Sequence, residues 1–173
     1  MINRLKMINR PNLSQIKKIS LIGLFFTLIF GFASCDSNKI YEENKAFENN
    51  VWTYHDVKEF SFTVEDSLTP VKLFLNLRTT IDYEYSNIYM YTHFTYPNGN
   101  TDIDTLEFFL AHPNGKWLGE CSGTVIENRA LITQGYLMES GMYTFKIEQA
   151  MYNDALSEVM DVGIRVENLV LSE

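Results

Sequence analysis

The feature that most constrains the fold is a two-residue alternation of apolar and polar side chains, repeated in short segments. Between Val57 and Asp66, the apolar residues Phe60, Phe62 and Val64 alternate with polar ones. Such alternation is typical of β-strands with one buried side and one solvent-facing side. The same pattern occurs in the segments 71–78, 88–96, 143–147 and 162–166.

Turn residues separate these segments, and no long helical period joins them. The clusters Pro97–Asn100 and Pro113–Gly115 combine proline with Asn and Gly, which tolerate positive φ. Several short amphipathic strands without intervening helices predict an all-β fold, an antiparallel β-sandwich that follows the N-terminal segment. The pattern leaves the strand order open between a jelly-roll and an Ig-like arrangement.

The first 34 residues have the charge order of an export signal. The apolar run Ile19–Ala33 has 15 residues, short of the roughly 20 needed to cross a bilayer. It ends at Phe32-Ala33-Ser34-Cys35, which resembles the lipobox read by lipoprotein signal peptidase. Five basic residues and no acidic residue accompany it: Arg4, Lys6, Arg10, Lys17 and Lys18. We therefore predict a signal peptide over 1–34 and lipidation of Cys35 by diacylglycerol and an N-acyl chain, with no other cofactor.

The charge of the remaining chain restricts its partners. Residues 35–173 contain all 22 acidic residues and nine of the 14 basic ones, so their formal net charge is −13. This charge disfavours nucleic acid and anionic head groups, so membrane attachment is expected through the lipid on Cys35. We predict attachment to the cell envelope, in the outer membrane and facing the periplasm. The sequence leaves the oligomeric state undetermined.

The domain organisation follows from composition. The segment 35–50 is polar, acidic and poor in periodic apolar positions, so we predict an acylated anchor and flexible tether there. Residues 51–173 are long enough for a single β-sandwich domain with its own core. Because Cys35 is assigned to the lipid, Cys121 has no intramolecular disulfide partner, and we expect it to be a small buried or half-buried residue.

Two segments are irregular enough to be distinctive. Leu77–Asn87 contains Leu-Arg-x-x-x-Asp-Tyr-x-Tyr-Ser-Asn, and Pro113–Gly119 contains Pro-Asn-Gly-x-Trp-Leu-Gly. Together with the stretches around them, from Cys35 to about Leu169, they resemble the gliding motility lipoprotein family called GldH. The resemblance implies a membrane lipoprotein required for gliding, associated with other envelope proteins of the gliding machinery and with type IX secretion. It implies no enzymatic activity.

The residues themselves point to no catalytic or metal site. His55, His93 and His112 are scattered, and none forms a metal-ligand spacing with another histidine or a thiol. There is no Gly-x-Ser-x-Gly elbow and no phosphate-binding glycine loop. We therefore predict that the protein is not an enzyme. The resemblance to the GldH family favours a role as an interaction or scaffold component.

Aromatic residues support an alternative function. Tyr89 and Tyr91 share one face of a predicted strand whose other face carries Met90 and Phe94. Exposed tyrosines, with Trp117 as a further candidate contact, suit either a protein partner or sugar rings that stack on them. The alternative is a glycan-binding surface lipoprotein module. A second buried layer of side chains would also explain the tyrosines.

Overall fold

The alternating segments form β-strands in the computed structural model, which describes residues 38–65 and 69–169. The prediction for Cys35 and the signal peptide lies outside these residues. The strands, in chain order, are β1 Lys39–Ala46, β2 Val51–Thr53, β3 Lys58–Val64, β4 Val71–Thr80, β5 Asn87–Thr95, β6 Thr101–Phe109, β7 Glu120–Ser122, β8 Val125–Tyr136, β9 Gly141–Gln149, β10 Ala155–Ser157 and β11 Val159–Asn168. A 3₁₀ turn, Glu48–Asn50, separates β1 from β2.

The strands form two main antiparallel sheets. One sheet has five strands in the order β1-β11-β4-β8-β7, and the other has four in the order β3-β9-β5-β6. A small two-stranded sheet, β10-β2, accompanies them. The predicted all-β antiparallel sandwich is therefore confirmed. No helix in the described part of the chain is long and apolar enough to cross a membrane.

The core is formed mainly by inward-facing residues of both main sheets, joined by Trp52 of β2 and Leu156 of β10. In β4 the alternate residues Leu73, Leu75 and Leu77 are buried. Lys72, just before them, and Arg78, just after them, are half-buried on the opposite side. In β3 the buried residues are Phe60, Phe62 and Val64. Each strand thus contributes one apolar side to the core, and its other side carries polar groups available for contacts.

The predicted tether is wrong from residue 39 onward. Lys39–Ala46 is β1, which pairs along its length with β11, from Lys39 opposite Glu167 to Ala46 opposite Asp161. Phe47, which follows, is 4% exposed and stacks on the fully buried Trp52 at a centroid distance of 4.6 Å. The domain therefore begins near residue 39, not at 51.

The tether was predicted because β1 is polar. As an edge strand it is stabilised on one side by β11, and its outward residues Glu42 and Asn44 bind polar side chains across the sheet. A strand stabilised in this way needs few apolar residues, so its composition resembles that of a flexible linker. The expectation for Cys121 is also wrong, because this residue is exposed on the short edge strand β7.

Candidate functional site

The first candidate surface is the solvent-facing side of the four-stranded sheet. Tyr89 and Tyr91 lie on β5, 38% and 42% exposed, and the intervening Met90 is fully buried. On the neighbouring strand β6, Ile103 and Phe109 are 67% and 58% exposed. Their register partners on β5 are His93 and Asn87, which lie on the same side as the tyrosines. We call Tyr89, Tyr91, Ile103 and Phe109 the tyrosine face.

Polar groups surround the tyrosine face. Glu107 lies opposite Tyr89 and forms a hydrogen bond with its hydroxyl, which raises the pKa of Tyr89. His93 Nε2 lies 2.6 Å from Glu148 Oε1, between β5 and β9. Apolar rings with hydroxyl groups at their tips, bordered by carboxylates, can contact either a protein surface or a saccharide.

Trp117 does not belong to the tyrosine face. It is half-buried, packs against the hydrophobic core and forms an isolated β-bridge with Ala111. Among the ring contacts of the described residues, none joins Trp117 to Tyr89 or Tyr91. The structure therefore places two of the three candidate contact residues together and the third elsewhere.

A second candidate surface, not predicted from the sequence, lies on the outer side of the five-stranded sheet. All three arginines that follow Arg10 in the chain are found there. Arg78 on β4 forms an ion pair with both carboxylate oxygens of Asp161 on β11, with Nε to Oδ1 at 3.0 Å, Nε to Oδ2 at 2.8 Å and Nη2 to Oδ2 at 2.5 Å. Asp161 is only 3% exposed, which is low for a charged residue on an outer sheet face. We call Arg78, Arg129, Arg165 and their carboxylate and amide partners the arginine network.

Glu42 joins the other two arginines of the network. Arg129 Nη2 donates to Glu42 Oε1 at 2.8 Å, and Arg165 Nη1 donates to Glu42 Oε2 at 2.7 Å. Partial burial would raise the pKa of Glu42, but the hydrogen bond from Arg165 and the charges of Arg165, Arg129 and Lys39 lower it overall. The network therefore connects β1 to β8 across the full width of β11 and β4.

Side-chain amides continue the same network. Arg129 Nε donates to Asn76 Oδ1 at 2.8 Å, and Asn76 Nδ2 donates to Asn44 Oδ1 at 3.3 Å. The Asn44 side chain crosses directly over Gly163 of β11, where a Cβ would lie 1.9 Å from Asn44 Oδ1. Gly163 is thus required for the close approach of β1 side chains to the sheet surface.

A cleft of about 400 Å³ borders the network. Leu118, Gly119 and Glu120 form one wall, just before and within β7. The cleft is also lined by residues of β1, β4 and β8, namely Asn44, Asn76, Arg78, Glu127, Asn128 and Arg129. The two segments with the most distinctive sequence meet here, because Arg78 belongs to Leu77–Asn87, and Leu118 and Gly119 belong to Pro113–Gly119.

The chain can be compared with known proteins. The model of the GldH lipoprotein family matches residues 39–166. The chain belongs to this family. A gliding motility lipoprotein GldH homolog of Christiangramia forsetii is 34% identical over 156 residues, which are 86% of this chain and 94% of that protein. The gliding motility lipoprotein GldH of Flavobacterium johnsoniae is 31% identical over 160 residues, 88% of this chain and 98% of that protein.

Solved structures resemble this GldH family member only distantly. The VP2 subviral particle of infectious bursal disease virus is 13% identical with a TM-score of 0.34, over 77% of this chain and 34% of that chain. Dimeric latent PorU from Porphyromonas gingivalis is 11% identical with a TM-score of 0.32, over 80% of this chain and 14% of that chain. Scores this low carry no functional argument.

Proposed function

We propose that this protein is a membrane-anchored lipoprotein of the gliding apparatus, and that it acts as a non-enzymatic interaction component linked to type IX secretion. The observation that carries the proposal is the family match over residues 39–166, together with two relatives named for gliding motility over most of their length. In this role the protein would contact other envelope proteins of the gliding machinery.

We further propose that Cys35 carries the diacylglycerol and N-acyl chains that hold the protein in the outer membrane, with the domain facing the periplasm. Support comes from the small residues before Cys35 and from the apolar run that precedes them. Because β1 begins at Lys39, only a few residues separate the proposed anchor from the first strand. A Cys35→Ala variant is expected to leave the membrane fraction on fractionation.

Clean deletion of the gene tests the gliding role. Cells without the protein are expected to stop moving over surfaces, and the unchanged gene supplied in trans is expected to restore movement. The Cys35→Ala form is the matched control, because it keeps the folded domain and removes only the proposed anchor. Normal gliding of the deletion strain would overturn the proposal.

A direct interaction role has a separate test, since loss of gliding could arise indirectly through secretion. Cross-linking and affinity purification of the lipidated protein from membranes should recover gliding or secretion components, and the Cys35→Ala form should recover much less. If secreted proteins fail to leave the deletion strain, the link to type IX secretion is supported. Normal secretion together with absent gliding would restrict the role to movement.

The tyrosine face supports a second candidate function, a glycan-binding surface module. Tyr89 and Tyr91 present two exposed rings on one side of β5. This function requires exposure on the cell surface and retention of the protein on polysaccharide. Retention that is unchanged after replacement of both tyrosines by alanine would overturn it.

A further inference from the structure

We propose that the edge of β8 from Asn128 onward, with the cleft beside it, binds an extended segment of a partner polypeptide that adds a strand to the five-stranded sheet. Strand addition is a common way for a sheet edge to recognise a peptide, because backbone hydrogen bonds provide affinity and alternate side chains provide specificity. The inference rests on the proposed interaction role and specifies the surface and the form of the partner.

The edge opens at Asn128. The short strand β7 pairs with β8 only at Val125, Ile126 and Glu127. Within the ranges 38–65 and 69–169, no strand pairs with this side of β8 beyond Glu127. Gly119, just before β7, packs against the Glu127 carbonyl oxygen and the Asn128 side chain. An antiparallel strand directs the N–H and C=O groups of alternate residues away from its neighbour, so beyond this contact this side of β8 presents backbone donors and acceptors.

The first part of this edge has regular geometry. Asn128–Leu131 pair with β4 in continuous register, and bulges follow at Ile132 and Gly135. Since bulges twist an edge, we expect regular pairing over about four residues before the first bulge and less regular contact just beyond it, beside Thr133. Leu131 is 46% exposed and provides an apolar contact at the end of this stretch.

The composition of the β8 edge differs from that of the other edge strands. Charged residues make up four of eight positions in β1, two of seven in β3 and three of nine in β6. From Asn128 to Tyr136, β8 has one charged residue in nine, Arg129, and its guanidinium is bound by Glu42 and Asn76. Charged residues protect sheet edges against pairing, and β8 has the least protection of the longer edges.

Asn128 itself indicates a missing polar contact. It lies on the inward side of β8 opposite Leu77, is 5% exposed, and lines the cleft. Its Nδ2 is buried and has no hydrogen-bond partner. A buried amide donor without an acceptor costs free energy, and an acceptor oxygen supplied by a ligand would remove this cost.

The remaining cleft groups match a peptide backbone. Arg78 and Arg129, with side chains 39% and 49% exposed, offer donors to carbonyl or carboxylate oxygens. Glu120 and Glu127 on the same cleft offer acceptors to N–H groups. The lining residues include no aromatic ring on which a sugar could stack. Donors and acceptors at the point where a strand edge opens favour an extended polypeptide over a glycan.

Photocrosslinking in intact gliding cells tests the site. The full lipoprotein is produced with a photoreactive phenylalanine analogue at Leu131 or at Thr133. The control position is Tyr54, which is 51% exposed, against 46% for Leu131, and lies outside both candidate surfaces. We expect protein adducts from both β8 positions and none from Tyr54. The attachment site on the partner should move by one or two residues between Leu131 and Thr133, because an extended segment lies along the strand. A shared attachment site, adducts with polysaccharide, or no adduct would overturn the inference.

An Asn128→Leu substitution separates binding from folding. It removes the unpartnered amide, so the isolated protein should gain thermal stability, whereas the adduct yield at Leu131 should fall about tenfold through loss of one hydrogen bond. The matched control is Asn87→Leu on the other sheet, which should leave the adduct yield unchanged. Lower stability with an unchanged adduct yield would show a purely structural role for Asn128 and overturn the inference.

A third variant keeps the inference testable if Asn128→Leu does not fold. Thr133→Lys places a charge on the exposed β8 edge and should suppress the adduct at Leu131. The proposed function fails separately, through normal gliding of the deletion strain. If the analogue in a motile strain forms adducts at Tyr91 on the tyrosine face and none at Leu131 or Thr133, the gliding role stands and the β8 site is wrong.

Discussion

Arg78 and Asp161 lie opposite each other on β4 and β11, and the guanidinium binds both oxygens of a carboxylate that is 3% exposed. The hydrogen bond that Arg78 donates to Asp161 raises the pKa of Arg78 against the opposing effect of burial. The planar guanidinium allows two parallel hydrogen bonds, which a lysine ammonium cannot reproduce. This pair connects β4, the central strand of the five-stranded sheet, to its neighbour β11.

We predict that Arg78→Lys lowers the free energy of unfolding by about 2 to 4 kcal/mol, because the buried Asp161 carboxylate loses its two-point partner. Urea unfolding at neutral pH measures the change. Lys116→Arg, an exchange between the same residue types in an exposed turn, is the control and should have no measurable effect. A loss smaller than about 0.5 kcal/mol for Arg78→Lys would show that the pair contributes little.

The alternating strands were predictable because periodicity depends on local sequence alone. Phe60, Phe62 and Val64 are buried, as the pattern indicates. Strand β1 was missed because its stabilising contacts come from residues far along the chain, such as Arg165. Periodicity contains no information about such partners, so a polar edge strand is easily mistaken for a linker.

The same limit applies to the candidate sites. The exposed side of Tyr89 and Tyr91 follows from alternation with Met90 and Phe94, but the half-buried position of Trp117 depends on how the chain crosses between the sheets. The arginine network joins residues from four strands. One signal was available in the sequence, because the three arginines that follow Arg10, namely Arg78, Arg129 and Arg165, all lie in the domain.

Gly163 is predicted to be required for docking of β1. A Cβ at this position would lie 1.9 Å from Asn44 Oδ1 and 2.4 Å from the Glu43 carbonyl oxygen. We expect Gly163→Ala to lower the free energy of unfolding by about 1 to 3 kcal/mol through overpacking. Hydrogen exchange should show faster exchange of the β1 amides than of those in β5.

A second substitution identifies the clash. Asn44→Gly removes the nearer contact, so it should recover part of the stability lost in Gly163→Ala, while the backbone contact with Glu43 remains. Such non-additivity is expected of residues in direct contact. If the two substitutions have independent effects on unfolding, the clash with Asn44 is not the cause of the loss.

Glu42 is predicted to make stability depend on acid pH. Its pKa in the folded protein is lower than the ordinary value of 4.5, so the unfolded state binds the proton more tightly. The stabilisation by Glu42 is complete above about pH 4.5 and is lost as the pH falls through its folded pKa. In Glu42→Gln, the free energy of unfolding should therefore change less between pH 6 and pH 3, measured by urea unfolding. The control is Glu84→Gln, an exposed glutamate outside the network, which should retain the full pH dependence.

The tyrosine face and Trp117 should respond differently to truncation. Tyr89 and Tyr91 are exposed, so replacing both by alanine should change the free energy of unfolding by less than about 1 kcal/mol. Trp117 packs against the core, so Trp117→Ala should cost about 2 kcal/mol. Thermal and urea unfolding measure both changes.

Only the tyrosine double variant is therefore a clean test of partner or glycan contact. A binding defect of Trp117→Ala would need comparison with an equally destabilised variant such as Gly163→Ala. If the double tyrosine variant unfolds as easily as Trp117→Ala, the tyrosines are structural, and the exposed face is a poor candidate for recognition.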